Sequence, residues 1–290
     1  MDMLVAGVPI TVTCAHRKEL EPTYAPYARQ DGADPQMELT VTVPEEIPTP
    51  EGEVLSRVKA ATVVRTPDGR LCRYGRKPDG TIFFATRFDE DYRRMEIALR
   101  ADGSHPTMTN CENEYLLSGF AFQDRLTVLG GGVLHASSLR WRGHGIAFSA
   151  DSGTGKSTHT GLWRQRFGDQ VIMVNDDKPA IVFEGDRPIL CGTPWSGKHA
   201  INENVTAPLE AIVFIERGAE NSIRRLDTVE SYFRLAGQIP RPYYDEALGV
   251  RVVEFTERLL ATVPIYCLTC NISIEAVETV VRAVFPQEEI

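Results

Sequence analysis

The sequence has little that would tie it to a membrane or to nucleic acid. No apolar run in its 290 residues approaches the roughly 18 needed to cross a bilayer as a helix. Positive charge is in deficit. There are 31 Lys and Arg against 40 Asp and Glu, a net charge of −9, so broad attraction to nucleic acid or an anionic membrane is not expected. An anionic ligand must be met by a local cluster of donors instead. The opening MDMLVAGVPITVTC has an apolar patch but no basic region before it, and reads as a strand rather than an export signal. Cysteine is sparse and scattered, at Cys14, Cys72, Cys111, Cys191, Cys267 and Cys270, which argues for reduced thiols in a cytoplasm. Cys267 and Cys270 have redox or half-zinc-site spacing. They lack a second ligand pair and close a strand-like apolar run, Thr262–Cys270, so we read them as ordinary core thiols. Internal repeats and low-complexity tracts are absent.

What is present describes a soluble globular protein, 42% hydrophobic and 24% charged, with length for one large or two ordinary domains. The first 125 residues look strand-rich. Ile10–Cys14, Glu38–Val43, Thr62–Arg65, Leu71–Tyr74 and Thr81–Ala85 alternate or are β-branched. Pro67-Asp68-Gly69 and Pro78-Asp79-Gly80 are turns, proline presetting one residue and glycine supplying positive φ. Together they predict an antiparallel meander. Val43–Glu53 reads as a surface loop, and Asn113–Leu126 as a helix joining two halves, residues 1–125 and 126–290. From Gly130 the pattern becomes α/β. Val133–Trp141 and Gly145–Ala150 are strands linked through Arg142-Gly143-His144, and Lys156–Phe167 is a helix that Gly168 can cap. Strands at Val171–Val174, Ala180–Phe183, Ile189–Cys191 and Ala211–Ile215 follow, with helices at Val229–Leu235 and Ile274–Val284.

The chemistry concentrates at Ala150-Asp151-Ser152-Gly153-Thr154-Gly155-Lys156-Ser157, a P-loop pattern with alanine at its first glycine position. After a strand, successive N–H groups curl into a nest for phosphate oxygens, and the following helix adds its positive end. Gly153 and Gly155 leave room for the phosphates, Lys156 is expected to bridge the β- and γ-phosphates, and Ser157 to hold Mg²⁺, with Thr158 next along. Val171–Val174 leads into Asn175-Asp176-Asp177, an apolar strand ending in carboxylates, as in a Walker B segment. Neighbours on a strand end point to opposite sides. We therefore expect Asp176 to support the metal and Asp177 to act as general base.

These residues resemble the HPr kinase and phosphoenolpyruvate carboxykinase superfamily over roughly 132–218. The likeness is carried by Leu134-His135-Ala136-Ser137 on the preceding strand, by Ser149–Thr158, and by Asn175-Asp176-Asp177-Lys178-Pro179-Ala180-Ile181. It implies a P-loop core with a mixed sheet, which follows the β-rich N-terminal domain read from the strand pattern. It also implies ATP or another nucleoside di- or triphosphate with Mg²⁺, or Mn²⁺, as cofactors. His135 stands where the superfamily carries a histidine, a metal ligand in carboxykinases, and is a candidate for catalysis or metal binding. Lys198, in the loop Gly192–His199, is a candidate to reach the transferred phosphate or an acidic substrate. Lys178, next to the acidic pair, is a further candidate, and Arg241 is a weaker candidate for a phosphate clamp. The N-terminal half lacks the domain of a true HPr kinase, and the arginine and lysine of carboxykinases have no counterpart in residues 1–130. The chain thus resembles an HPr-kinase-like P-loop protein, not a bona fide HPr kinase. The expected activity is transfer of a terminal phosphate to a hydroxyl of a small molecule or of a peptide or protein serine. A regulatory nucleotide-hydrolysing module and a carboxykinase-like enzyme are the alternatives. The expected partners are that small-molecule or peptide substrate and, by analogy, further copies of the chain.

Overall fold

The computed structural model describes residues 1–58, 61–103, 105, 107–197 and 200–288. It forms two units, Met1–Leu129 with Pro242–Gly249, and Gly130–Arg241 with Val250–Ile290. The sequence reading divides the chain at 125/126, inside a helix that runs on to Val128.

The first unit is built on an eight-stranded sheet. Its elements are β1 (Asp2–Val5), β2 (Val8–Thr13), α1 (Arg17–Tyr24), β3 (Met37–Thr42), β4 (Glu53–Val58) and β5 (Ala61–Arg65), then β6 (Leu71–Arg76), β7 (Ile82–Phe88), β8 (Arg94–Leu99) and α2 (Asn110–Val128). The order across the sheet is β1-β2-β3-β8-β7-β6-β5-β4. Both Pro-Asp-Gly triplets do turn the chain. Gly69 and Gly80 donate to the carbonyls of Thr66 and Lys77 at 2.8 and 3.0 Å, with φ of +84° and +92°. That is a turn followed by a left-handed glycine, a common three-residue hairpin loop. The meander is real from β4 to β8, but the sheet as a whole is mixed, because β3 runs parallel to both β2 and β8. The N-terminal apolar patch is two strands, β1 and β2, rather than one. The Val43–Glu53 connection is not wholly a surface loop. Ile47 is buried against Val64, Cys72 and Tyr74. Helix α2 starts three residues before the expected point because Thr109 and Glu112 form a capping box.

The second unit continues with β9 (Gly132–Val133), β10 (Ala136–Trp141), β11 (His144–Ser149), α3 (Lys156–Phe167), β12 (Val171–Asn175), β13 (Ala180–Glu184) and β14 (Arg187–Cys191). Then come β15 (Thr206–Arg217), β16 (Ser222–Arg225), α4 (Thr228–Gln238), α5 (Glu246–Thr262), β17 (Ile265–Cys270) and α6 (Ile274–Val284). Strands β10 and β11 meet in a two-residue turn, Arg142-Gly143, with φ of +49° and +91°, the signs a tight hairpin prefers. Strand β15 serves two sets of partners. Its first residues pair with β14, and from Leu209 it runs parallel to β11 and then β17.

Period-two alternation puts a core on each face of this sheet. Ile146, Phe148, Ala211, Val213 and Ile215 pack under α3 and α6, with Trp141 and Trp163 in the same cluster. Ala147, Ile212 and Phe214 face Leu235, Phe255 and Leu259 of α4 and α5. Cys267 and Cys270 fall into opposite clusters. A three-residue step along a strand faces them apart, so the pair cannot serve one metal or one disulfide. Among the described residues no helix is long and apolar enough to cross a membrane.

Candidate active site

Strands β11, β15 and β17 are parallel neighbours, so their C-terminal ends share one edge of the sheet. In open α/β sheets that edge is where ligands bind. The loop after β11, Ala150–Gly155, lies there and feeds α3, with Gly155 as its N-cap. Gly153 and Gly155 have φ of +79° and +127°, backbone angles that side-chain-bearing residues rarely adopt. Arg217, the last residue of β15, donates to the carbonyls of Gly153 and Thr154 at 2.6 and 3.1 Å. It therefore engages the carbonyl side of the loop. The Thr154 amide bonds the Asp151 carbonyl, while the first amides of α3 have no partner within the helix and can meet an anion.

The expected single strand Val133–Trp141 is broken, and His135 sits in the gap between β9 and β10 rather than on a strand. The facing chain breaks at the same level, between β12 and β13. Ser138 pairs with Asn175 on one side of the double break, and Val133 with Ala180 on the other. Within it Leu134 N–H donates to the Pro179 carbonyl at 3.2 Å and Ala136 N–H to that of Asp177 at 3.1 Å. Pro179 cannot donate in return, which helps to keep the gap open. The opening frees His135, Asp176 and Asp177 from strand geometry. Asn175 shapes it from below. Its Oδ1 accepts from the amides of Asp177 and Lys178 at 2.9 and 2.6 Å, and its Nδ2 reaches the Thr193 and Trp195 carbonyls.

A short polar chain crosses the break. Lys156 Nζ donates to the Ala150 carbonyl at 2.9 Å and lies 3.1 Å from His135 Nε2. Asp177 Oδ1 is 3.4 Å from the same nitrogen. On the other side of the ring, Nδ1 is 2.9 Å from Gln238 Oε1. Gln238 Nε2 in turn donates to Asp151 Oδ1 at 3.2 Å. A carboxylate can only accept, so this last contact orients the amide and puts Oε1 toward His135. Nδ1 therefore carries hydrogen, and in the neutral ring Nε2 is left as an acceptor for Lys156. If Nε2 were protonated instead it would donate to Asp177 and repel the ammonium. The two arrangements exclude each other. When Nε2 carries hydrogen, its contact with Asp177, followed by Lys178 and Lys156, holds that carboxyl below its usual range, and burial lowers the pKa of Lys156.

The structure thus gathers His135, Lys156, Asp177 and Asp151. Asp176 is buried beside them, its Oδ1 accepting from Gly197 N–H at 2.8 Å. Ser152, Ser157 and Thr158 are exposed on the loop and the first turn of α3. Arg241 is exposed beyond α4 and is not part of this gathering. Lys178 contributes backbone bonds to the fold of the break. Lys198 lies outside the described residues. Among the described residues no three His, Cys, Asp or Glu side chains are placed to hold an ion by themselves. Mg²⁺ needs no such cage, since one or two protein oxygens and substrate phosphates suffice. Ser157 and Asp176 are oxygen donors of that kind. Sequence reasoning missed three residues. Asn175 has a local signal, an Asn at a strand end before a turn. Arg217 has a positional one, the end of a parallel strand. Gln238 has none.

No protein-family model and no curated protein matches the chain. Among solved structures, the Hpr(Ser) kinase/phosphatase from Coxiella burnetii matches with a TM-score of 0.32 and 14% identity, over 52% of this chain and 94% of that one. A likeness of that size assigns no activity, and the functional reading rests on the geometry above.

Proposed function

We propose that this chain is a nucleotide-dependent phosphotransferase that moves a terminal phosphoryl group to the hydroxyl of a small molecule or of a peptide or protein serine. One observation carries the reading. Lys156, at the mouth of a glycine loop, is held against His135 Nε2 while Asp177 stands 3.4 Å from the same atom. A lysine parked on a histidine nitrogen is a group with somewhere else to go.

When a nucleotide arrives, Lys156 moves to its β- and γ-phosphates, which the loop amides and the positive end of α3 also receive. The acceptor oxygen then attacks the γ-phosphorus and forms the new P–O bond. The bond to the bridging oxygen breaks, and the nucleoside diphosphate leaves with the electron pair. The hydroxyl proton passes to Asp177, already ionised at neutral pH, and can be shared with His135 Nε2, which Lys156 has vacated. Phosphoryl transfer of this kind asks mainly for positioning and charge neutralisation. Ser157 and Asp176 would hold Mg²⁺ or Mn²⁺ together with the phosphates, and the ion would supply part of that neutralisation.

The test is incubation with γ-labelled ATP, Mg²⁺ and fractionated metabolites and peptides, with Asp177→Asn alongside. Label on a discrete acceptor that disappears in the variant is the expected result. Label released only as free phosphate, at equal rates in both proteins, replaces the kinase with a nucleotide-hydrolysing regulatory module.

A further inference from the structure

Arg217 is exposed, and among the described residues it makes no ion pair. Its bonds go to the glycine loop instead. Nε donates to the Thr154 carbonyl at 3.1 Å and Nη2 to that of Gly153 at 2.6 Å. These two nitrogens form one edge of the planar guanidinium, so a single rigid edge grips two successive carbonyls. The root of the side chain is equally fixed. Arg217 pairs with Cys270 of β17, and the amide of Gly218 donates to the Cys270 carbonyl at 2.9 Å. Alternation along β15 sends Ile215 into the core under α3 and carries Arg217 to the same face. Glu216 turns the other way, to Arg234 of α4 at 2.6 Å.

The consequence comes from the planarity of the peptide unit. No peptide bond among the described residues is cis, and in a trans unit the C=O and N–H point in opposite directions. Holding the carbonyls of Gly153 and Thr154 therefore aims the amides of Thr154 and Gly155 away from Arg217. The first of these closes on the Asp151 carbonyl at 3.2 Å. The Gly155 amide, at the N-cap of α3, has no partner among the described residues. A carbonyl bonded to a cation also polarises its own peptide unit, which makes the amide on the far side a stronger donor. Gly153 and Gly155, with φ of +79° and +127°, are free to take other backbone angles, so a loop without a grip has more conformations to lose on binding. We infer that Arg217 is a positioning residue of this loop, one that turns the Gly155 amide toward an incoming phosphate by holding the carbonyls behind it. This role rests on the loop as phosphate site and adds what sets its shape before an anion arrives.

Calorimetric titration with tripolyphosphate in Mg²⁺ tests the role without needing an acceptor or a base. Arg217→Ala should bind it about tenfold more weakly than wild type, the scale of one hydrogen bond to a charged group. Arg217→Lys keeps the charge, loses the two-pronged grip and should fall nearly as far. Both substitutions remove an exposed side chain, so neither threatens folding. Clefts of about 520 and 410 Å³ flank the loop, and Arg217 lines both, so its vacated place is open to an added cation. Ethylguanidinium should restore most of the affinity of Arg217→Ala, and ethylammonium at the same ionic strength should not. Wild-type affinity in Arg217→Lys overturns the grip and leaves only a general pull of positive charge. Failure of ethylguanidinium to outperform ethylammonium overturns it too. Wild-type affinity in Arg217→Ala removes the role altogether while the phosphate-loop reading stands. If wild-type protein does not bind tripolyphosphate, that reading fails and the role of Arg217 goes with it.

Discussion

Both units bury charged side chains, and they use them differently. In the first unit each buried charge fastens stretches of chain. Glu114 accepts from the amides of Ala15 and His16 at 3.1 and 3.0 Å and from His16 Nδ1 at 2.7 Å. Arg125 donates to the Gln36 and Asp91 carbonyls at 2.8 and 2.7 Å. Asp124 accepts from Tyr244 at 3.1 Å and faces Arg73 at 3.7 Å. These are closed accounts, in which backbone supplies much of the pairing. In the second unit Lys156, His135 and Asp177 pair largely with one another, beside a loop whose amides can take an anion. A charge satisfied by fixed backbone holds a fold together. A charge satisfied by another mobile side chain can be reassigned to a ligand.

The comparison sharpens when the two classes are removed in turn. Lys156→Met should cut phosphoryl transfer by about a thousandfold, the scale expected when a charge stabiliser aimed at the transition state is lost. Its melting temperature should stay near that of wild type, because the residue that leaves is a single buried cation. Glu114→Ala should do the reverse. It strands two amides and an imidazole, and a loss of about 3 kcal/mol is expected in denaturant unfolding, with tripolyphosphate affinity unchanged in the protein that remains folded. A large catalytic loss from Glu114→Ala without destabilisation would erase the distinction.

Asp124 gives an effect with a definite sign. Burial, opposed by Arg73 and Tyr244, pushes its pKa up from 3.8 to about 6. The folded carboxyl therefore keeps a proton that the unfolded chain releases near pH 4. Its contribution to stability is present below pH 4 and is lost as the pH rises through 6, amounting to about 3 kcal/mol. Asp124→Asn should flatten that slope in the pH dependence of its unfolding, so that the slope appears in the difference between the two proteins; a slope that persists in the variant belongs to another group. The smallest effect is Gln238→Leu. Loss of the amide that fixes the His135 tautomer should lower kcat about tenfold, or roughly 1.4 kcal/mol, and move the pH profile, with nucleotide affinity little changed. A structural role alone would leave the profile where it was.

What could be read in advance follows the same division between local and distant causes. The glycine loop, the hairpin turns and the strand leading to Asp176 were legible, because each is set by neighbours in sequence: positive φ, proline at a turn, an apolar run ending in acid. Helix α5 was not. Gly249 and the valines at 250, 252 and 253 lower helix propensity, and tertiary burial of Val252, Phe255 and Leu259 overrides them. The break at His135 was hidden by Leu134, whose apolar side chain, fully buried, continues the pattern of a strand while the backbone changes partners. Gln238 and Arg217 reach the site from elements far along the chain, 103 residues from His135 and 64 from Gly153. No window on the sequence contains both ends of such a contact.

Strand β15 acts as a ruler. Its early residues are indexed against β14, its middle against β11, and its last residue holds the carbonyls of Gly153 and Thr154. Deleting one residue from its middle would exchange Ile212 and Phe214 with Ala211 and Val213 between the two faces, and both cores would object. Deleting two would restore every face and still draw Arg217 back by about 7 Å, out of reach of the loop. Length in this strand is therefore held from both ends. Drift in sequence is free to change which apolar residue stands at each mark, and not how many marks there are.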